Sequence, residues 1–314
     1  MDDWNTQDAV STRETHPARD AERSQSSLDN ERSTLPGKAA APIGVFDSGA
    51  GGLTILAALL QELPDEQYIY FGDTAHCPYG MRSDEDITDL SIQISRFLIE
   101  RGVKLIIVAC NTATQAAIGT LRATFPSTPF IGVVPAVKPA ARATKKGRIG
   151  IAATNQAARA LYLRQLIDEF AEGIQAYAVG CPELVTLVER GELDGPLVEA
   201  TVQQALQPLL KQDVDVIVLG CTHFPALRDI IERVVGHSIQ IIDSGMAIAR
   251  RTHAVLDAEG LMRARSQNHA RPGDVERLEV LCSGDAGAFS DVASKIIGHR
   301  IIAQQVDLKR EGVL

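Results

Sequence analysis

A chain of 314 residues with 45% hydrophobic residues and a mean hydropathy near zero is long enough to bury a substantial core in two modest domains, in the style of a soluble protein. Its net charge of −9 excludes the basic excess that nucleic-acid binding needs. No apolar run reaches the ~18 residues a membrane span requires, and charged and polar residues stand where a signal peptide would be apolar.

In chain order, residues 1–40 are polar, mixed in charge and poor in aliphatic side chains, the composition of a disordered extension. From Ala41 onward, short β-branched runs alternate with amphipathic stretches, which predicts βα units around parallel sheets. Strands are expected at 43–46, 68–71, 105–109, 130–133, 148–152, 175–179, 214–219, 239–242 and 279–282. Nearly all are apolar throughout, as parallel strands buried on both faces are. A helix is expected over 245–261, then a polar loop over 263–277, then a last strand and helix that pack back on the first domain.

The two halves resemble each other. PIGVFDSGAGGLTIL at 42–56 aligns with RIGIAATNQAARALY at 148–162, and KLIIVACNTATQAAI at 104–118 aligns with DVIVLGCTHFPALRD at 215–229. The expected fold is therefore α/β, with two similar open parallel-sheet domains related by pseudo-symmetry. Residues 41–146 with 247–314 form the first domain and 147–246 the second. Ligands of open α/β sheets bind beyond the carboxyl ends of the strands, which places the active site in the interdomain cleft.

Five cysteines, Cys77, Cys110, Cys181, Cys221 and Cys282, are widely spaced and never form a CxxC pair. Free thiols in a reducing, cytoplasmic compartment are expected, not a disulfide scaffold or a structural zinc site. Cys110 and Cys221 each end a buried strand at equivalent positions of the two halves, followed at once by amide, hydroxyl or imidazole groups. A helix N-terminus beside such a thiol lowers its pKa. The loop Asp47–Gly52 follows a strand and opens a helix; its glycines allow positive φ and close approach, and its amides can bind an anion. In GDTAHCPYG, Pro78 and Gly80 shape a loop in which Tyr79 offers a hydroxyl, Cys77 is a bystander and His76, without companions at ligand spacing, is a loop histidine.

A Cys–His thiol hydrolase is one reading of Cys221 and His223, but a neighbour two residues away cannot readily turn its ring onto the thiol, and the second thiol goes unexplained. A two-base racemase uses both. One thiolate removes the α-proton from one face while a thiol delivers a proton to the other. A non-catalytic amino-acid-binding protein is the remaining alternative.

FDSGAGGL, PYG, VACNTA, GCPELVTLVE, LGCTHFP and IDSG, in this order across about residues 42–308, resemble the glutamate racemase family. Val133–Arg142 is similar to a proteobacterial branch of that family that carries an N-terminal extension. The resemblance implies that Asp47 and Ser48 hold the substrate amino group and assist Cys110. It implies that Tyr79, Gly80, Asn111, Thr112 and Thr222 bind the two carboxylates, that Cys110 acts on the D-isomer and Cys221 on the L-isomer, and that His223 and Glu189 assist Cys221. His223 is also expected to touch substrate. With no Arg or Lys in the motif loops, the hydroxyls of Ser48, Thr112, Thr114, Thr222 and Tyr79 and the helix-start amides are expected to carry the carboxylates. No metal or organic cofactor is expected. The partners implied are glutamate and a UDP-sugar peptidoglycan precursor as activator, for a monomer or homodimer that supplies D-glutamate for peptidoglycan. The chain departs from the commoner family pattern at Cys77 and at Thr154–Ala157. Enzymes of the same superfamily acting on aspartate or a hydantoin are the alternatives nearest in chemistry.

Overall fold

The structure, a computed structural model, describes residues 36–264 and 277–308. Residues 1–35 of the expected extension and 265–276 of the expected polar loop lie outside the described residues. Among the described residues, ten strands form two sheets: β1 (Ile43–Asp47), β2 (Tyr68–Gly72), β3 (Leu105–Val108), β4 (Phe130–Gly132), β5 (Arg148–Ala153), β6 (Gln175–Gly180), β7 (Val216–Leu219), β8 (Gln240–Ile242), β9 (Leu278–Cys282) and β10 (Ala303–Gln305).

The spatial order explains the internal repeat. The first sheet runs β10-β9-β2-β1-β3-β4 and the second β6-β5-β7-β8, every pairing parallel. Deleting β9 and β10 leaves the same order twice, so β1 corresponds to β5 and β3 to β7. In both sheets the chain reverses direction of winding between these two central strands, which opens a crevice at their carboxyl ends. Asp47 ends β1, Cys110 follows β3 and Cys221 follows β7, so all three lie at such a switch point.

Each sheet is covered on both faces, as the apolar strands require. Leu53, Leu56 and Ile248 pack on one face of the first sheet and Ile87, Ile94 and Phe97 on the other. Leu184, Val202 and Leu206 cover one face of the second sheet, and Val137, Ala140 and Leu163 the other. The tail returns to the first sheet as expected: β9 joins the β2 edge, with Tyr70 aligned to Val280. Phe289, on the Ala286–Ile297 helix, stacks on Tyr70 at 6.3 Å between ring centroids. Buried Lys104 ties the pieces together, donating to Glu66 at 2.5 Å and to the carbonyls of Leu261 and Ala39 at 2.8 Å.

Two expectations change. The 245–261 helix stops at Ala258, and β10, whose sequence is AQQ, has no apolar run to betray it. It is a short edge strand held by Ser290, whose hydroxyl accepts from the Ala303 amide at 2.9 Å.

Candidate active site

The loop after β1 folds around its own carboxylate. Asp47 is fully buried, and its Oδ1 accepts from the Gly49 amide at 2.8 Å and the Ser48 hydroxyl at 3.3 Å. Its Oδ2 accepts from the Thr222 hydroxyl at 2.9 Å, a bond from the loop after β7. Burial holds the Asp47 carboxyl above its ordinary range, against the pull of the His223 imidazole and the Gly49 amide.

The glycines of this loop serve close approach. None of Gly49, Gly51 and Gly52 has positive φ. A Cβ at Gly49 would meet Glu189 Oε1 at 2.1 Å, one at Gly51 would meet His223 Nδ1 at 2.3 Å, and one at Gly52 would meet Asp47 Cβ at 2.6 Å. The backbone lies directly against the acid-base groups, and side chains there would displace them.

Cys110 sits at the N-cap of the Asn111–Thr124 helix, where its sulfur accepts from the Ala113 amide at 3.5 Å and donates to the Ser48 hydroxyl at 3.8 Å. The expected lowering of its pKa by the helix start is present but loses. Burial, with the Asp47 charge added, pushes the Cys110 thiol up to about 12. Charge on Cys221 also raises it, so the two sulfurs share one electrostatic environment.

Cys221 has no helix directly behind it. Its partner is His223, whose Nδ1 lies 3.6 Å from the sulfur, contrary to the expectation that a residue two positions away could not turn its ring onto the thiol. The reason is local: His223 adopts a helical backbone conformation, φ −72° and ψ −36°, that folds the ring back over its own loop. Its Nε2 meets Glu189 Oε1 at 2.5 Å, and the same oxygen accepts from the Ala50 amide at 2.8 Å. Burial works against a charged His223. Hydrogen bonds to Cys221, Cys77 and Glu189 outweigh it and hold the imidazole well above its ordinary value. Glu189 is lowered in turn, because the His223 contact and the Ala50 amide outweigh its burial.

The structure thus brings Asp47, Ser48, Cys110, Glu189, Cys221, Thr222 and His223 together. Asn111 and Thr112 begin the helix behind Cys110. The Asn111 side-chain Nδ2 is buried without a hydrogen-bond partner, a donor waiting for an acceptor. Thr112 Oγ1 meets Thr154 Oγ1 at 3.3 Å across the sheets, and Gly80 presses on Thr154, whose Cβ is 3.1 Å from where a Gly80 Cβ would be. Thr154 also caps its helix through the Ala157 amide at 3.1 Å, and Gln156 donates to Asp84 at 2.6 Å, so the departure from the family pattern at Thr154–Ala157 has its own polar contacts.

Three expected donors are spent elsewhere. Tyr79, buried, gives its hydroxyl to Asp73 Oδ2 at 2.6 Å. The Thr114 hydroxyl donates to the Val108 carbonyl and accepts from the Val133 amide, both at 3.1 Å, which ties β3 to the chain after β4. The Thr222 hydroxyl is taken by Asp47. Asp73, for which the sequence suggested no part, is the hub of the Tyr79 loop, accepting also from Ser283 at 2.7 Å and pairing with His76 at 2.8 Å. Thr54, likewise unforeseen, donates to the Thr222 carbonyl at 2.8 Å.

Cys77 is no bystander in position. Its sulfur, a Glu189 oxygen and a His223 nitrogen lie within 4.8 Å of one another, a donor set able to hold a metal ion. Burial pushes the Cys77 thiol up to about 11, opposed by its hydrogen bond with His223. Cys181 and Cys282 are core residues.

Comparison with known proteins places the chain in a family. The family model for Asp/Glu/Hydantoin racemase matches residues 43–252, which include both thiol loops. The chain belongs to the Asp/Glu/Hydantoin racemase family. It is an amino-acid racemase, an isomerase, and it is similar to several curated glutamate racemases. It is 46% identical over 243 residues to the glutamate racemase of Deinococcus radiodurans, across 77% of this chain and 82% of that one. The crystal structure of glutamate racemase isoform RacE1 from Bacillus anthracis superposes with a TM-score of 0.74 at 33% identity, covering 85% of this chain and 98% of that one. Escherichia coli glutamate racemase, solved with L-glutamate and the activator UDP-MurNAc-ala, gives 0.71 at 34% identity, covering 82% and 95%.

Proposed function

We propose that the chain is a glutamate racemase in which Cys110 and Cys221 exchange protons with opposite faces of the substrate α-carbon. The observation that carries this reading is the pairing of two buried thiols at the ends of corresponding strands, each with its own polar partners: Ser48 beside Cys110 and His223 beside Cys221. From L-glutamate, the Cys221 thiolate takes the α-proton and the Cys110 thiol supplies one to the other face. From D-glutamate the two exchange roles. Atoms balance within the pair, since each turnover leaves one sulfur protonated and the other not.

The other groups follow from their chemistry. Asp47 and Ser48 receive the α-ammonium group, whose positive charge offsets the burial that raises Asp47 and Cys110. His223, held by Glu189, keeps a proton beside Cys221. Asn111 and the amides at the start of its helix bind a carboxylate, with Thr112 at the edge. Near-attack geometry asks each sulfur to approach the α-carbon to about 3–3.5 Å. The reading uses protein groups alone, with no metal or organic cofactor.

The family relationship supports a role in supplying D-glutamate for peptidoglycan in the cytoplasm. Residues 41–146 with 247–314, and 147–246, are read as the two catalytic domains, with the Val137–Ala143 helix moved to the second because Val137 and Ala140 pack against its sheet. An activator of the UDP-sugar precursor type is part of the same reading. It is supported by a cavity of about 680 Å³ beside β4 whose lining sets three cationic side chains, Arg122, Lys138 and Arg251, against one acid, Glu259, a balance that favours an anionic ligand.

Exchange of the α-proton in deuterated water tests the reaction. Each glutamate isomer, incubated with the protein, should gain deuterium as its enantiomer forms. Absence of both exchange and isomerisation with glutamate refutes the reading, and faster turnover of aspartate moves the substrate to the neighbouring branch of the family.

A further inference from the structure

We propose that Cys77, Glu189 and His223 form a binding site for a divalent cation of the zinc class, and that filling it arrests the racemase reaction. The arrest rests on the role proposed above for the Cys221–His223 pair; the binding site does not.

The three donors come from two loops and the end of the Pro182–Glu189 helix. They are a thiol sulfur, a carboxylate oxygen and an imidazole nitrogen, all within 4.8 Å of one another. This mixture of sulfur, nitrogen and oxygen suits zinc or cobalt, whereas magnesium and calcium favour oxygen alone. Tetrahedral bonds of about 2.0–2.3 Å place donors roughly 3.3–3.7 Å apart, so pairs that lie within 4.8 Å close by at most about an ångström and the 2.5 Å His223–Glu189 contact opens by a similar amount.

The surroundings hold these donors in place. The Ala50 amide fixes Glu189 at 2.8 Å, and the Gly49 and Gly51 backbone presses against the Glu189 carboxylate and the His223 ring. Such outer partners orient ligands and sharpen affinity. The site is reachable, because the Glu189 side chain is 22% exposed and Cys77 is half-buried. Three protein ligands leave a fourth position for water, the pattern of an open zinc site.

The consequence for catalysis is direct. A cation on Nε2 takes Glu189 away from the ring and replaces the Glu189-held imidazolium with a neutral imidazole whose one proton is fixed on Nδ1, so the ring beside Cys221 is no longer free to take up and give back a proton. The Cys77 thiol and the imidazole Nε2 each give up one proton to solvent as the metal enters, the Nδ1 proton stays, and no electron is transferred.

Cobalt titration of the full-length chain, freed of metal with a chelator, tests the site without reference to activity. One Co²⁺ per chain should bind with thiolate-to-cobalt charge-transfer absorption, and Zn²⁺ should displace it. Cys77→Ser and Glu189→Gln should each weaken Co²⁺ binding by at least about tenfold, while Cys282→Ser leaves it unchanged. Cys77→Ala replaces the serine variant if circular dichroism shows the latter unfolded. Zn²⁺ should also stop glutamate isomerisation reversibly, with activity restored by chelator. A charge-transfer band that survives loss of the Cys77 sulfur overturns the site. Full racemisation at saturating Zn²⁺ overturns the arrest. A chain that binds Co²⁺ through Cys77 yet never isomerises glutamate supports the site and refutes the proposed function instead.

Discussion

Replacing Gly51 with alanine isolates the contribution of His223, because the substitution touches the imidazole without changing any polar group. The new Cβ would stand 2.3 Å from Nδ1, 2.6 Å from Cε1 and 2.8 Å from Cγ of the ring. Ordinary contact begins near 3.4 Å, so the ring must retreat by about 1 Å. It cannot swing away freely: it is buried, and Glu189 holds it at 2.5 Å on the far nitrogen. Misplacing a catalytic group by about 1 Å costs on the order of a hundredfold, or about 2.7 kcal/mol of barrier. Since the equilibrium constant between enantiomers is unity, kcat/KM must fall by the same factor from L- and from D-glutamate. Circular dichroism of the substrate, followed in both directions, measures this. Gly51 does not have positive φ, so alanine meets no backbone penalty and the fold should persist. Gly119→Ala is the control, in a helix with open space around it, and should leave the rate unchanged. A Gly51→Ala enzyme within about threefold of wild type, roughly 0.65 kcal/mol, would refute the role given to the His223 position.

Cys110→Ala and Cys221→Ala should each abolish racemisation while leaving the far-ultraviolet circular dichroism unchanged, since each removes the acid-base group of one face; a single variant near wild-type rate contradicts the two-thiol reading. Asn111→Leu removes the unpartnered buried Nδ2 and should raise KM for glutamate by about tenfold or more, the equivalent of ~1–3 kcal/mol for a lost partner. An unchanged KM takes Asn111 out of carboxylate binding. Alkylation of Cys110 by iodoacetamide, followed by peptide mapping without substrate, should accelerate about tenfold per pH unit from about pH 8 to pH 11. A thiol raised to about 12 stays protonated throughout that window, so its reactive thiolate fraction grows with every unit. A plateau below about pH 10 shows that the sulfur ionises earlier.

The parts legible in the sequence are those written in local patterns. Apolar runs located nine of the ten strands, and the repeated strand-plus-cysteine pattern placed Cys110 and Cys221 at corresponding positions. What stayed hidden depends on contacts between distant segments. Cys77, Glu189 and His223 are far apart in sequence, so no ligand spacing announced their cluster. A hydroxyl in a motif shows a donor without showing its acceptor, so Tyr79 and Thr114 read as substrate ligands in the sequence although Asp73 and Val108 receive them. The Asp47–Gly52 glycines were legible as glycines that matter, but only the packed fold separates the need for positive φ from the need for space. The His223 ring is hidden from the sequence for a similar reason: sequence separation says little about a side chain once the backbone between has turned.

Duplication solves a geometric problem that a single sheet does not, because inversion at carbon needs equivalent chemistry on two opposed faces. Two copies of one strand order supply two equivalent thiols, yet the helpers are unlike: hydroxyl and carboxylate beside Cys110, imidazole and carboxylate beside Cys221. These helpers are not confined to their own sheets. Thr222, after β7, donates to Asp47 at the end of β1; Glu189 accepts from the Ala50 amide; Thr54 donates to the Thr222 carbonyl. Separating the two sheets must break all three contacts, and with them the settings of Asp47, Glu189 and the Cys221 loop. On the proposed two-thiol reading, the setting of each thiol therefore depends on contacts made by the other sheet, and a substitution on one side of the pair should be felt on both faces of the substrate.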